Sequence, residues 1–189
     1  MALKNFDELV AAVGSGDTKR VVVAAAHDEH ALEAVLKAHK EGIIDYTLVG
    51  RKADIISIGK SLGYEVIEND IVDVYEIQDA AFKAVELIRE GKGDFLMKGK
   101  LDTSVLLKQV VNKETGIGTG KVMSHMIIMQ IPAYHKLLGI TDGGMLIAPN
   151  LEQKVGMLHN SIDFFHRLGV ASPKVACLAA VEPVNPKMQ

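Results

Sequence analysis

The stretch Arg20–Ala26 (RVVVAAA) decides the fold, because three valines and three alanines follow one another without a polar residue. A strand in the middle of a parallel sheet is covered on both faces, so it reads as a continuous apolar run and not as an alternating one. Asp28 follows at once and is a residue type that caps helix N-termini. The sequence therefore predicts a buried strand and then a helix over Glu29–Lys40, closed by Gly42.

The same alternation of strand and helix continues on the C-terminal side of this stretch. Further strands are predicted at Tyr46–Val49, Tyr64–Glu68 and Asp94–Met97, and further helices at Lys52–Leu62, Gln78–Glu90 and Thr103–Val111. Repeated strand–helix units are typical of a parallel sheet with right-handed crossovers. The predicted fold class is therefore α/β, with a doubly wound, mostly parallel sheet.

The pattern changes after Asn112. Asn112–Lys121 (NKETGIGTGK) is polar and rich in glycine, which predicts a loop. Two apolar segments follow, Val122–Ile131 and Leu137–Thr141, with no helix between them, and this arrangement predicts either an antiparallel excursion or a crossing between sheets.

A long helix is predicted at Leu151–Leu168, and Lys174–Val181 is predicted to be another buried strand. We divide the chain into an N-terminal α/β domain, residues 1–125, and part of a second α/β domain, residues 126–189, which we expect to be incomplete. A sheet that stops directly after a strand lacks the helix that follows it.

Composition excludes several classes of function. The 189 residues carry a net charge of −3, which does not favour nucleic acid or an anionic membrane as a partner. Cys177, the single cysteine, lies in an apolar run and is expected to be an inert core thiol. No histidine or cysteine spacing indicates a metal site, and no GxGxxG follows the first strand. Without a signal region or a run long enough to span a bilayer, we expect a cytoplasmic protein.

The segment Leu96–Lys108 (LMKGKLDTSVLLK) combines the groups that bind phosphate. Lys98 and Lys100 supply cations, and Gly99 lets the backbone turn closely. Thr103 and Ser104 stand where a helix presents unpaired N–H groups and the positive end of its dipole. The alternative interpretation is an ordinary strand-to-helix turn in which Asp102 or Thr103 caps the helix.

A second set of polar residues interrupts the apolar segments that follow. Ser124 and His125 lie within a predicted strand, where neighbours point to opposite faces and cannot form a direct nucleophile–base pair. Asp142 follows a strand beside two glycines, which is typical of a site residue or of a turn closed by its own carboxylate. Asn150 and Gln153 fit a capping box, which needs no ligand.

Taken together and in order, these segments resemble the phosphate acetyl/butyryltransferase family, and are most similar to its phosphate butyryltransferase branch. The segments on which this resemblance rests are Met97–Ser104 (MKGKLDTS), Val122–His125 (VMSH), Thr141–Pro149 (TDGGMLIAP), Leu151–Lys154 (LEQK), Ala179–Glu182 (AAVE) and Val184–Met188 (VNPKM). The resemblance runs from about residue 10 to the last residue. It implies a two-domain, isocitrate-dehydrogenase-like α/β fold, an active site in the interdomain cleft and assembly into homodimers or larger oligomers.

The resemblance also implies a reaction, acyl-CoA + phosphate ⇌ acyl phosphate + CoA, with coenzyme A and phosphate as substrates and no tightly bound cofactor. Lys100, Thr103, Ser104 and Ser124 would hold phosphoryl oxygens beside Lys98 and Gly99, and His125 and Asp142 would line the cleft. Family members continue for about another hundred residues, which contain the Asp and Arg assigned to thiol activation and phosphate binding. The catalytic groups are therefore expected beyond residue 189, and no residue is nominated for them here.

Two other classes of function stay open from the sequence. A related enzyme, either a decarboxylating dehydrogenase or an acyl-carrier-linked phosphate acyltransferase, shares the general architecture. The dehydrogenase would need paired metal-binding aspartates, which the sequence does not offer. A non-catalytic phosphate- or CoA-binding module, or an assembly module, is the alternative from a different class.

Overall fold

The computed structural model describes residues 4–14 and 16–178. The chain separates into two compact units. One runs from Ala12 to Thr119. The other joins the N-terminal residues up to Ala11 with those from Gly120 onward. Each unit is described here by itself.

The first unit is built on a parallel sheet of four strands. The strands are β1 (Lys19–Ala24), β2 (Ile44–Gly50), β3 (Ile71–Asp73) and β4 (Phe95–Lys98). Their order across the sheet is β3-β2-β1-β4, so β1 pairs with β2 on one side and with β4 on the other. The predicted α/β class with a mostly parallel sheet is confirmed.

Helices connect the strands of this sheet at nearly the predicted positions. They are α2 (Glu29–Lys40), α3 (Lys52–Ser61), α4 (Ile77–Arg89) and α5 (Thr103–Val110), and α1 (Phe6–Gly14) precedes β1. Asp28 caps α2 as predicted, since its carboxylate accepts the Ala31 N–H at 2.9 Å. No helix in the described ranges is both long and apolar enough to cross a membrane.

The core explains why Val21–Ala24 of β1 form an unbroken apolar run. Val22 and Ala24 point to one face and pack with the buried residues of α4 and α5. Val21 and Val23 point to the other face and pack with α2 and α3. All four side chains are fully buried, so a polar residue at any of these positions would lose its hydration without a partner.

The prediction of a third strand at Tyr64–Glu68 is wrong. The third strand is β3, which begins at Ile71 and pairs with Leu48–Gly50 of β2. Tyr64 and Val66 are apolar for another reason, because they pack onto the core cluster under α2 and α3. The Ile67 N–H donates to the Tyr46 hydroxyl at 3.1 Å, which holds this segment beside the sheet without pairing in it.

The second unit contains a two-stranded antiparallel sheet and one long helix. β5 (Ile127–Met129) pairs with β6 (Leu138–Ile140), and α6 spans Leu151–Arg167. Of the two arrangements expected for the apolar segments, the antiparallel one is observed, and the predicted helix is confirmed. The capping box is also present: the Asn150 side chain accepts the Gln153 N–H, and the Gln153 side chain accepts the Asn150 N–H, each at 2.9 Å.

The prediction of a buried strand at Lys174–Val181 is wrong for the residues that the structure describes. Residues 174–178 have no regular structure, and residues 179–181 lie outside the described ranges. Val175 and Leu178 are 49% and 94% exposed, and Cys177 is exposed and not a core thiol. An apolar run becomes a buried strand only where neighbouring strands and helices cover it, and no described strand pairs with this segment.

Substitution of Gly99 tests how closely the backbone after β4 approaches the backbone after β1. A methyl group at Gly99 would lie 2.3 Å from the Ala25 carbonyl oxygen, so backbone would have to move. We expect Gly99→Ala to lower the free energy of unfolding by about 2–3 kcal/mol, the cost of overpacking a filled site. Urea denaturation measures this value. Gly118→Ala is the matched control, because the nearest atom there is 3.9 Å away. Equal stability of the two variants would contradict the close approach.

Candidate functional site

The sheet of the first unit has a switch point between β1 and β4. From β1 the chain adds β2 and β3 on one side and then returns to add β4 on the other. Beyond its carboxyl end β1 continues to α2 on one face of the sheet, whereas β4 continues to α5 on the other face, so the two connections separate there. Ligands of doubly wound folds bind at this position.

The two loops of the switch point are joined by backbone hydrogen bonds. The Gly99 N–H donates to the Ala24 carbonyl at 2.8 Å, and the Lys100 N–H donates to the Ala25 carbonyl at 2.9 Å. Ala25 has a φ of 54°, a conformation that is uncommon for a residue with a side chain. Such conformations persist where the surrounding structure enforces them, and they cluster at functional sites.

A pocket of about 580 Å³ lies at this switch point. Its lining residues are Asp28, Ile77, Gln78, Lys98, Gly99, Lys100, Leu101, Asp102 and Val105. Ile77 and Gln78 begin α4, and Asp102 and Val105 belong to the start of α5, so two helix N-termini border one pocket. Neither N-cap residue, Glu76 or Asp102, caps its helix through its side chain. Helix N-termini of this kind attract anions.

The two lysines of the predicted phosphate segment have different surroundings. The Lys98 ammonium donates to the carbonyls of Gly99 and Leu101, at 3.2 and 2.8 Å, and so holds the loop closed. Lys100 is exposed, and within the described part of the chain its ammonium makes no hydrogen bond or ion pair. Lys100 is therefore the lysine of this segment whose charge is available to a ligand.

Thr103 and Ser104 are exposed at the first two positions of α5. The carbonyl of Asp102 accepts the N–H groups of Val105 and Leu106, at 3.0 and 3.4 Å. Among the described residues, no acceptor pairs with the N–H of Thr103 or Ser104. The alternative that Asp102 caps this helix with its carboxylate is not observed, so these donors stay available.

His27 lies three residues after the end of β1 and is 5% exposed. Its Nδ1 faces Gly50, where a Cβ would come within 2.9 Å, and it has no hydrogen-bond partner among the described residues. Burial lowers the pKa of His27 below its ordinary value of 6.5, and the nearby charges of Arg51 and Lys100 lower it further. The imidazole is therefore kept neutral at the edge of the site.

In the second unit, Asp142 is held by backbone donors. One carboxylate oxygen accepts the His125 N–H at 2.8 Å, and the other accepts the N–H groups of Gly144 and Met145, each at 2.8 Å. Partial burial raises the pKa of this carboxyl, but these donors and the Leu146 N–H together lower it to about 2. Asp142 thus closes its own turn and also fixes the segment that carries His125.

Ser124 and His125 do not lie in a strand, which corrects the prediction of one continuous strand over Val122–Ile131. The segment before β5 is held by side chains and not by a strand ladder. The Asn160 amide donates to the Ser124 hydroxyl at 2.9 Å and to the Val122 carbonyl at 2.8 Å. His125 Nδ1 is buried and has no partner among the described residues. Ser124 and His125 thus have separate surroundings.

The predicted site residues fall into two groups. Lys98, Gly99 and Lys100 line the pocket at the end of β4. Thr103 and Ser104 begin α5 directly after Asp102 but are not among the residues that line the pocket. Ser124, His125 and Asp142 lie together in the second unit. Three further residues near these groups were not nominated as site residues from the sequence. His27 and Arg51 follow the ends of β1 and β2, which was a usable signal. Asn160 lies in the interior of α6, where nothing in the sequence marks it.

The backbone donors around Asp142 predict an acid-dependent loss of stability. Because its pKa is lower in the folded chain than the ordinary 3.8, the carboxylate contributes stability above about pH 4 and loses it as the pH falls towards 2. We expect Asp142→Asn to reduce the slope of stability against pH in this window, as measured by urea denaturation. Asp163→Asn, at an exposed position of α6, is the control. An unchanged slope in Asp142→Asn would contradict the assignment.

Comparison with known proteins gives consistent results. Residues 68–189 match the family described as phosphate acetyl/butaryl transferase. The chain is 42% identical over 186 residues to a phosphate butyryltransferase of Clostridium acetobutylicum, covering 98% of this chain and 62% of that protein. It is 39% identical over 183 residues to a phosphate acetyltransferase of Thermotoga maritima, covering 97% and 62% respectively. The chain therefore spans about 62% of the length of these relatives.

Solved structures give the same result for the fold. A branched-chain phosphotransacylase from Enterococcus faecalis V583 superimposes with a TM-score of 0.72 at 28% identity, over 90% of this chain and 59% of that one. A phosphotransacetylase from Streptococcus pyogenes superimposes with a TM-score of 0.52 at 15% identity, over 65% of this chain and 45% of that one, a similarity of fold alone. Since the family match covers residues 68–189, which is more than half of the chain and includes β4 and α5, the chain belongs to the phosphate acetyl/butaryl transferase family.

Proposed function

We propose that the chain takes part in acyl transfer between coenzyme A and inorganic phosphate, acyl-CoA + phosphate ⇌ acyl phosphate + CoA, as a phosphate butyryltransferase-like protein. The observation that carries this proposal is the pocket at the switch point, bordered by two helix N-termini and by Lys100 in a chain of this family. No metal or tightly bound cofactor is part of the proposal.

The anion in this proposal is held by local donors and not by net charge. Lys98 and Lys100 face Asp28 and Asp102 in the pocket lining, so its formal charges cancel. The Lys98 ammonium is occupied by loop carbonyls, and Asp28 caps α2. A phosphoryl group would therefore be recognised by Lys100 and by the N–H and hydroxyl groups of the first turn of α5.

A general base contributes little to this reaction. A free thiol has a pKa near 8.5 and is already a few per cent thiolate at pH 7, so complete deprotonation gains only about 2 kcal/mol. Most of the acceleration must come from orienting the two substrates and from stabilising the oxyanion that forms when the thiolate attacks the acyl carbon. Among the described residues we assign none to thiol activation.

The residues of the second unit enter the proposal as binding groups. We propose that Ser124 and His125 border the substrates, and that Asp142 acts through the backbone bonds that fix this segment. We also retain the division into an N-terminal domain, residues 1–125, and part of a second domain, residues 126–189, as a proposal.

A second candidate function is binding of phosphate or coenzyme A without turnover. The observation that favours it is that the pocket offers donors for an anion, whereas among the described residues we assign none to thiol activation. Release of CoA from butyryl-CoA, followed with a thiol reagent in the presence of phosphate, separates the two functions from each other. Calorimetric binding of phosphate without any release of CoA would support the second candidate.

A cytoplasmic location and assembly into homo-oligomers complete the proposal. A single exposed cysteine suits a reducing compartment. In the second unit, Ile147 is 103% exposed and Leu178 is 94% exposed, although both are large and apolar. Apolar surface of this kind is typical of contacts between subunits.

Phosphate affinity tests the pocket directly. Lys100→Met removes the available charge, and we expect about a tenfold or larger loss of phosphate affinity in calorimetry. Thr103→Ala removes only the hydroxyl, and Thr103→Pro also removes the N–H at a helix position that accepts proline, so we expect the proline variant to bind more weakly. Lys108→Met, exposed on the same helix outside the pocket, is the control. Unchanged affinity in both Lys100→Met and Thr103→Pro would exclude phosphate binding here.

The oligomeric state of the chain tests whether the exposed apolar residues of the second unit form contacts between subunits. We expect sedimentation velocity to detect dimers or larger species, and Ile147→Asp to shift the distribution towards monomer, because a carboxylate would be desolvated in the contact. Ile67→Asp, at a position that is 45% exposed in the first unit, is the matched control. A wild-type chain that stays monomeric at high concentration would contradict the proposed assembly.

A further inference from the structure

The pocket at the switch point has a second, apolar side. Ile77, Leu101 and Val105 line it and are called the apolar wall here. Ile77 is the first residue of α4 and is 42% exposed, and Val105 is partly buried in the first turn of α5. Water against this wall is displaced favourably by any aliphatic group that fits it.

Residues of the hydrophobic core support the apolar wall. Leu101 and Leu106 occupy the positions of a hydrophobic staple around the start of α5, and both are only 7% exposed in the core cluster. Val105 packs against the same cluster. Leu101 and Val105 therefore offer a fixed surface, which is the property needed to distinguish chains that differ by one or two methylene groups.

The position of the apolar wall on α5 indicates which part of the substrate would contact it. Val105 lies two positions after Thr103 on α5, about 3 Å along the helix axis. In an acyl phosphate the acyl carbon is bonded directly to a phosphoryl oxygen. A phosphoryl group held by Lys100 and by the first N–H groups of α5 would therefore place the start of the alkyl chain beside this wall.

We propose that the apolar wall binds the alkyl part of the transferred acyl group, and that Val105 and Ile77 determine the preferred chain length. This inference rests on the proposed function and extends it to substrate selection. The aliphatic pantetheine arm of coenzyme A is the other molecule of similar chemistry, and it is treated as an outcome of the test.

The first experiment measures kcat/KM for acetyl-CoA and butyryl-CoA with phosphate. One methylene group in contact with the wall changes the rate about fourfold. We expect Val105→Ala and Ile77→Ala to lower the butyryl-to-acetyl ratio by roughly four- to tenfold, since each removes contacts that only the longer chain makes. Val105→Phe should narrow the site and lower the ratio further. Val111→Ala, at a position 56% exposed directly after α5, is the matched control.

A second measurement does not depend on turnover. Methylphosphonate and butylphosphonate are titrated into the same variants by calorimetry, with circular dichroism as the check on folding. We expect the wild-type chain to bind butylphosphonate more tightly, and Val105→Phe to abolish this preference while methylphosphonate affinity stays within about threefold. If this binding preference is observed but no CoA is released in the first experiment, the proposed catalysis is contradicted, while the binding of alkyl groups to the apolar wall is supported.

Two outcomes would overturn the inference. In the first, the wall variants leave both the butyryl-to-acetyl ratio and the phosphonate preference at the wild-type values. In the second, they raise the KM for acetyl-CoA and for butyryl-CoA by the same factor and leave the ratio unchanged, which would assign the wall to the pantetheine arm.

Discussion

The contact between β1 and β4 is the constraint on which the rest of the candidate site depends. β1 is buried on both faces, so its position is fixed by packing before any ligand is considered. The hydrogen bonds from Gly99 and Lys100 to the backbone after β1 then extend the pairing beyond the strands. Only a residue without a side chain fits at Gly99, and this fit sets where Lys100 and the start of α5 lie.

An anion in this pocket would be attracted by the positions of a few donors and not by the total charge of the chain or of the pocket. The whole chain is slightly acidic, and the charged residues of the pocket lining cancel. What distinguishes the pocket is that two helix N-termini without side-chain caps meet beside a lysine with no partner among the described residues. The neutral state of His27 adds no charge of its own, because burial and its cationic neighbours keep its pKa low. Phosphate sites in other proteins use the same combination of backbone donors and one cation.

The second unit relies on polar contacts where the first relies on packing. Its strands are short, and the segment with Ser124 and His125 is fixed by the Asp142 carboxylate and the Asn160 amide. A carboxylate that accepts several backbone N–H groups is strongly held in its ionised form, which the low pKa of Asp142 reflects. Asp142 is therefore placed to position its neighbours, a role that the sequence alone left open beside that of a direct ligand.

Local rules in the sequence determined most of the elements of the first unit and the segment that carries its lysines. The unbroken apolar run of β1, the Asp28 cap and the strand–Gly–Lys–helix segment each depend on neighbouring residues, and each is present as predicted. The elements that failed depend on distant partners. Tyr64 and Val66 pack beneath helices instead of pairing in the sheet, and Cys177 has no covering element among the described residues. Only the tertiary structure decided that Lys98 holds its own loop while Lys100 stays available, because hydrogen bonds to carbonyls separate two lysines that look alike in the sequence.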